Sequence, residues 1–278
     1  MSTKEPDANS SNFEMVLHSA MGLPGVKINR ADFLRKELSK YYDVDTVNKA
    51  IDTNPAQADI SVESLEKIAK SCINYETRRV AALSAAAGVA GVKAMVVTVP
   101  ADTAQFFGHI IRILQKLVYL YGWQEMLNEG FDDETSNQLT LFIGVMFGVS
   151  AANGALSKVA ALAALNVPKK LTQQALTKGT IYPIVKAIAA KIGVRMTKVI
   201  FAQGVGKVIP VIGAVASGGI TFALFKPMSI RLKNYLATLP MASADFYKKP
   251  RSGEDIIDID FTDIVIEDIE GMDDFDEL

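Results

Sequence analysis

The chain contains a stretch of 110 residues, Thr135 to Ala244, that has no aspartate or glutamate but twelve lysine or arginine residues. Alanine, valine, isoleucine, leucine and glycine supply most of the remainder. Apolar segments of this length must be buried in a protein core or in a bilayer, and their helical spacing favours helices. Because soluble domains normally intersperse both signs of charge, the stretch indicates a surface that meets an anionic partner.

The body of the chain and its C-terminal tail carry net charges of opposite sign. Residues 1–250 hold 28 basic and 19 acidic side chains, a formal excess of nine positive charges, whereas residues 251–278 hold twelve acidic side chains and one basic. So acidic a segment is predicted to be a disordered tail. We expect it either to mask the basic body electrostatically or to serve only as a solubilising terminus without a defined contact.

Cysteine content and the start of the chain favour the cytoplasm. A single cysteine, Cys72, excludes an intramolecular disulfide and suits a reducing compartment. The start of the chain, Met1 to Met15, is polar, carries both signs of charge and matches no secretory signal. We therefore expect a cytoplasmic protein, peripheral to the inner face of the membrane.

Three apolar stretches approach the length of a bilayer span, about 20 residues: Val80–Val99, Leu139–Leu165 and Phe201–Phe225. Each contains one lysine, which costs roughly 2.5–3.5 kcal/mol near the centre of a membrane helix. These lysines are Lys93, Lys158 and Lys207. The stretches are therefore predicted to be core or membrane-surface helices rather than integral spans.

Helical periodicity along the chain predicts an all-α fold, a bundle of long Gly/Ala-rich apolar and amphipathic helices with disordered termini. Residues 1–12 form the polar N-terminus and residues 13–75 the short amphipathic helices. Residues 76–250 form the helical domain, punctuated at Pro100, Gly122 and Pro168, and residues 251–278 the acidic tail. The short helices are predicted over Asn29–Tyr41, Val44–Asp52 and Ser61–Tyr75, with Asn29 and Ser61 as caps.

The most regular polar pattern is a stripe with spacings of 3, 4, 3 and 4, which share one helix face. Its members are Asp102, Gln105, His109, Arg112 and Lys116. The stripe is either a polar cleft for an anionic headgroup or the solvated face of an amphipathic helix. The stripe provides too few metal ligands for a site, because Asp102 and His109 lie two helical turns apart and do not hold an ion by themselves.

A second pattern, within residues 181–203, resembles a basic amphipathic helix that lies on a membrane surface. The alternative is an ordinary core helix with a solvated basic face. The side chains predicted to contact an anionic surface are Lys186, Lys191, Arg195, Lys198 and Lys207.

Motifs for enzymatic chemistry are missing from the sequence. Gly204-Val205-Gly206-Lys207 fails as a phosphate-binding loop, because Phe201 and Val208 stand where glycine and serine or threonine are needed. No nucleophile elbow or zinc helix occurs, and there are only two histidines. We expect no enzymatic activity, no cofactor, no metal and no nucleic-acid partner, since aromatic residues are not interleaved with the lysines.

Two segments resemble the EcsC family of bacterial proteins. The first is Val97-Thr98-Val99-Pro100-Ala101-Asp102, followed by Arg112, Gln115 and Tyr121-Gly122-Trp123. The second is Gly206-Lys207-Val208-Ile209-Pro210-Val211-Ile212-Gly213-Ala214. The resemblance implies a bacterial protein with one helical domain over about residues 75–240 and no known reaction. It also implies an ABC transporter or other membrane protein as a partner, since the founding member is encoded beside such a transporter.

Together these observations predict a non-enzymatic, membrane-associated binding protein whose basic helical body contacts anionic lipid or a membrane transporter. Two alternatives stay open: a pore-forming or membrane-inserting protein that unpacks its apolar segments, and a soluble adaptor for an acidic protein partner.

Overall fold

The computed structural model describes residues 17–89, 99–127, 133–164, 181, 183–188 and 225–248, with backbone alone at 83–89, 99–103 and 133–134. In these ranges the chain is helical and forms no strand, which confirms the all-α prediction. The helices are α1 (17–21), α2 (Arg30–Leu38), α3 (Val44–Asp52), α4 (Val62–Val89), α5 (Val99–Leu120), α6 (Asp133–Phe147), α7 (Ser150–Ala164), α8 (183–188), α9 (225–236) and α10 (Ala244–Lys248).

The short N-terminal helices begin where polar side chains cap them. Asn29 Oδ1 accepts a hydrogen bond from the Asp32 amide at 2.9 Å, and Asp43 Oδ1 accepts one from the Thr46 amide at 2.9 Å. Ser61 Oγ accepts a longer one from the amide of Ser64 at 3.3 Å. The caps predicted at Asn29 and Ser61 are therefore confirmed; each satisfies an amide that has no partner within its helix.

Helix α4 is longer than predicted and runs without a break through residues 75 and 76, where we expected the short helices to end. Helix α2 packs against both α3 and α5. One continuous hydrophobic core extends from Leu17 to Ala242. The short helices and the long ones thus share a core.

The end of α5 matches the prediction that Gly122 terminates it. The Trp123 amide donates to the Val118 carbonyl at 3.0 Å, and Gly122 has φ +100°. This is the glycine-based C-terminal cap that left-handed backbone allows. A Cβ at position 122 would lie 2.8 Å from the carbonyl oxygen of Met241, so the close approach of the Pro240–Ala242 turn also requires glycine.

The prediction that the apolar stretch Leu139–Leu165 forms one helix is wrong. Gly148, at φ +73°, ends α6, and α7 begins at Ser150. Two helices of 15 residues each pack against one another, and a Cβ on Gly144 would lie only 2.5 Å from the Cβ of Ala152. Within the described part of the chain, no helix has both the length and the apolar character to cross a bilayer.

Two arginines, the buried Arg30 and the exposed Arg231, connect helices by donating hydrogen bonds to backbone carbonyls. Arg30, 5% exposed, donates from Nε to the Trp123 carbonyl at 2.9 Å, and its other nitrogens donate to carbonyls at the end of α3. Arg231 Nη1 donates to the Met146 carbonyl at 2.6 Å and so caps the end of α6. Since the last carbonyls of a helix have no intrahelical donor, each guanidinium stabilises a helix end and joins two parts of the fold.

Several predictions concern residues outside the described ranges. They include the N-terminus 1–12, the tail 251–278, the segment Phe201–Phe225 except for its last residue, and the motif Gly206–Ala214. These stay predictions.

Candidate functional site: a basic cluster around Glu76

Polar side chains from α4 and α5 meet around one carboxylate. Glu76 lies on α4, and its side chain is fully buried. Three residues of α5 face it at helical spacing: His109, Arg112 and Lys116. Arg79, one turn after Glu76, is exposed at the edge of the group. We call these five residues the Glu76 cluster.

Lys116 makes the closest contact in the Glu76 cluster. Its Nζ lies 2.6 Å from Glu76 Oε1, and its side chain is 13% exposed. Arg112 Nη2 lies 3.5 Å from the same oxygen, with a side chain 17% exposed. Lys116 Nζ also lies 5.4 Å from the ring centroid of Tyr75 and 6.0 Å from that of Phe33. The ammonium thus has a carboxylate and two aromatic rings around it, which offsets its loss of hydration.

The protonation states follow from burial and charge. Burial acts to raise the pKa of Glu76, but the hydrogen bond from Lys116 and the charges of Lys116, Arg112 and Arg79 outweigh it, so the pKa lies below its usual range. Burial is the main cause that lowers the pKa of His109, and repulsion by Arg79 and Arg112 lowers it further. The negative charge of Glu76 acts to raise this pKa but does not outweigh them. At neutral pH the cluster therefore holds an ionised Glu76, a neutral His109 and three cations, a formal excess of two positive charges.

Three polar atoms of the cluster have no hydrogen-bond partner among the described residues: Glu76 Oε2, His109 Nδ1 and Arg112 Nε. Buried polar atoms are normally paired, so each of these three atoms keeps an unused capacity for a hydrogen bond. What the arrangement offers chemically is positive charge and this hydrogen-bonding capacity.

Gln115 holds the chain segment before α2 against the cluster. Its Oε1 accepts from the Ile28 amide at 3.0 Å, and its Nε2 donates to the Val26 carbonyl at 2.8 Å. Gly25, at φ +74°, lies beside Arg112: a Cβ there would be 3.6 Å from Nη1. Gly108 leaves room for Val26 and Leu23 to pack on α5. The segment is thus fixed at two points along one helix.

The structure brings together three members of the predicted polar stripe: His109, Arg112 and Lys116. Gln105 is exposed and belongs to no described contact of the cluster, and the side chain of Asp102 lies outside the described residues. The alternative prediction, that the stripe is only the solvated face of an amphipathic helix, is wrong for Arg112 and Lys116. Both side chains are largely buried against α4. The spacing of the stripe could not predict this burial, because the partner residue, Glu76, lies on another helix.

Sequence reasoning missed Glu76 as the centre of the site, although a signal was present. Leu65, Ile68, Cys72 and Ile73 mark the buried side of α4, and Glu76 continues their helical spacing. An acidic residue on an apolar stripe must find a cation, because an unpaired buried carboxylate is costly.

Of the lysines and arginine predicted to contact an anionic surface, Lys186 alone lies in the described residues. It is exposed on α8, whose other side buries Ile184, Val185 and Ile188, as the amphipathic pattern predicts. Lys191, Arg195, Lys198 and Lys207 lie outside these ranges. Lys233 belongs to the same acid-free stretch, but it is buried and pairs with Glu66 Oε1 of α4 at 3.2 Å.

Two groups with known chemical roles, the Cys72 thiol and potential metal ligands, can be assessed in the described ranges. Burial, as the main cause, raises the pKa of Cys72 to about 12, so the thiol is protonated at neutral pH and is a poor nucleophile. No group of three or more histidine, cysteine, aspartate or glutamate residues in the described ranges has the geometry to hold a metal ion.

Comparisons with protein-family models, with curated proteins and with solved structures find no match to this chain.

Proposed function

We propose that the protein is a non-enzymatic, membrane-associated binding protein whose basic helical body contacts anionic lipid on the cytoplasmic face of a membrane. The observation that carries the proposal is the acid-free stretch Thr135–Ala244, with twelve basic residues in a body whose formal excess is nine positive charges. Each lysine or arginine near an anionic lipid surface contributes about 1 kcal/mol of attraction.

The placement of Lys186 supports this proposal. Its ammonium points outward from α8 while Ile184 and Ile188 of the same helix are fully buried. A helix held on its apolar side by the protein core presents its cations to a surface without unfolding. This favours contact by charge over insertion of apolar residues.

The resemblance to the EcsC family supports a bacterial setting and adds a membrane transporter as a further partner. The described motif residues have structural roles: Arg112 faces Glu76, Gln115 holds the N-terminal segment, and Gly122 ends α5. A transporter with an acidic cytoplasmic surface would meet the same basic body.

Co-sedimentation of the full chain with vesicles tests the proposal. We expect binding to phosphatidylcholine vesicles that contain phosphatidylglycerol, weak binding to phosphatidylcholine alone, and a loss of binding as salt rises, because salt screens exposed charges. Equal binding to both vesicles, or binding to neither, contradicts it. Leakage of an entrapped dye at binding concentrations would instead favour the membrane-inserting alternative.

A further inference from the structure

We propose that one face of the α4–α5 pair is a further surface that docks on the anionic bilayer. It comprises Tyr75, Arg78 and Arg79 of α4 together with Arg112 and Lys116 of α5, and we call it the Tyr75 face. The inference rests on the proposed function, and it adds a second contact to the one that the acid-free stretch supplies.

The helical spacing of α4 creates this face. Residues 71, 74, 75, 78, 79 and 82 are all exposed, whereas Cys72, Ile73, Glu76 and Val80 are buried. The exposed strip holds two arginines and no acid. Tyr75 is 62% exposed, which makes it one of the few large hydrophobic residues that the described part of the chain leaves open to solvent.

Charge is concentrated on the Tyr75 face because the carboxylate that pairs with Arg112 and Lys116 points inward. Glu76 is fully buried below the face and is paired with Lys116. The four cations of the face exceed this buried carboxylate by three charges. The side chains of Arg112 and Lys116 are 17% and 13% exposed, so both cations contribute charge at the edge of the Tyr75 face.

The combination of an exposed tyrosine with surrounding cations fits the interface of a bilayer rather than open water. Tyrosine places an apolar ring and a polar hydroxyl at headgroup level, and arginines beside it meet lipid phosphates with paired donors. The Lys116 ammonium, 5.4 Å from the centre of the Tyr75 ring, links the ring to the basic group. A phosphate-bearing bilayer therefore satisfies both the charge and the aromatic residue.

The experiment compares vesicle binding of the full-length protein with that of two matched double variants. Arg78→Gln/Arg79→Gln removes two exposed charges of the Tyr75 face. Arg35→Gln/Lys49→Gln removes two exposed charges from α2 and α3 and is the control. We expect the first variant to bind vesicles that contain phosphatidylglycerol about 10- to 30-fold more weakly, and the control to lose much less. Circular dichroism checks that both variants keep the helical content of the wild type.

A Tyr75→Trp variant adds a spectroscopic readout. The introduced indole is expected to shift its emission to shorter wavelength on anionic vesicles, while native Trp123, which is buried, serves as the background in the wild type. If the wild type binds anionic vesicles but Arg78→Gln/Arg79→Gln binds equally well, or loses no more than the control, the docking face is wrong and the proposed function stands. If the wild type itself does not bind, the proposed function fails first.

Discussion

Lys116 Nζ lies 2.6 Å from Oε1 of Glu76, so a pair of opposite charges joins the C-terminal part of α5 to the middle of α4. The same carboxylate balances Arg112, and the surrounding charges keep it ionised despite its burial. The pair thus holds together the two helices that also carry the face proposed to dock on a bilayer.

The first prediction concerns this pair. Glu76→Gln leaves Lys116 and Arg112 partly buried without a countercharge, and we expect the free energy of unfolding to fall by about 1–3 kcal/mol. Urea denaturation measures it. Asp59→Asn is the control, because it breaks the Asp59–Lys248 pair, whose side chains are 68% and 61% exposed, and it should lower the free energy of unfolding far less. If both variants lost the same amount of unfolding free energy, Glu76 would stabilise the fold no more than an exposed ion pair does.

Stability should depend on pH through His109. Burial, opposed by Glu76 and aided by Arg79 and Arg112, holds the folded-state pKa of His109 below its ordinary value of 6.5. The unfolded chain therefore takes up the proton first as the pH falls, and stability is lost from about 6.5 down to the folded-state pKa. We expect the free energy of unfolding to decline over this window in the wild type and to stay flatter in His109→Gln. Carboxylates with lowered pKa values, such as Glu76, take up protons only at lower pH, so they do not change the stability in this pH window.

Gly122 should not tolerate a side chain. Gly122→Ala places a Cβ 2.8 Å from the Met241 carbonyl and forces alanine into φ +100°, so we expect a loss of about 1–3 kcal/mol in thermal or urea unfolding. Gly154→Ala is the matched control, because no atom of the described residues lies within 4 Å of the added Cβ and the position is helical. That change should stabilise the protein by about 0.5–1 kcal/mol.

The contact between α6 and α7 can be tested by exchanging its two small residues. Gly144→Ala alone should destabilise by about 1–3 kcal/mol through overpacking, since the new Cβ would lie 2.5 Å from that of Ala152. The double variant Gly144→Ala/Ala152→Gly removes the clash and should recover part of the loss. Strictly additive effects of the two changes would contradict the close packing of these helices.

The acidic tail should weaken membrane binding. Deletion after Pro250 removes twelve acidic residues and one basic residue from a body with nine excess positive charges. We expect the truncated protein to bind anionic vesicles more tightly, with a steeper dependence on salt, because the tethered tail no longer competes with lipid. Binding no tighter than that of the full chain would leave the tail as a solubilising terminus only.

Local sequence signals determined much of the fold. Caps at Asn29 and Ser61, the helix end at Gly122 and the helical periodicity of the N-terminal segments were all predicted, because each depends on a few neighbouring residues. The buried side of α8 was likewise predicted from its spacing. Gly148 was missed as a break, although a glycine two residues before Ser150 is a common signal for one helix ending and another beginning.

The site depended on contacts between distant segments. The spacing of His109, Arg112 and Lys116 placed them on one face of a helix, but only the packing of α5 on α4 brought Glu76 beneath that face. In the same way, no local pattern showed that Arg30 would donate to the carbonyl of Trp123, 93 residues away. Periodicity determines which side of a helix is polar; which charge that side meets is decided by tertiary packing, because a buried ion must find its partner wherever the fold supplies one.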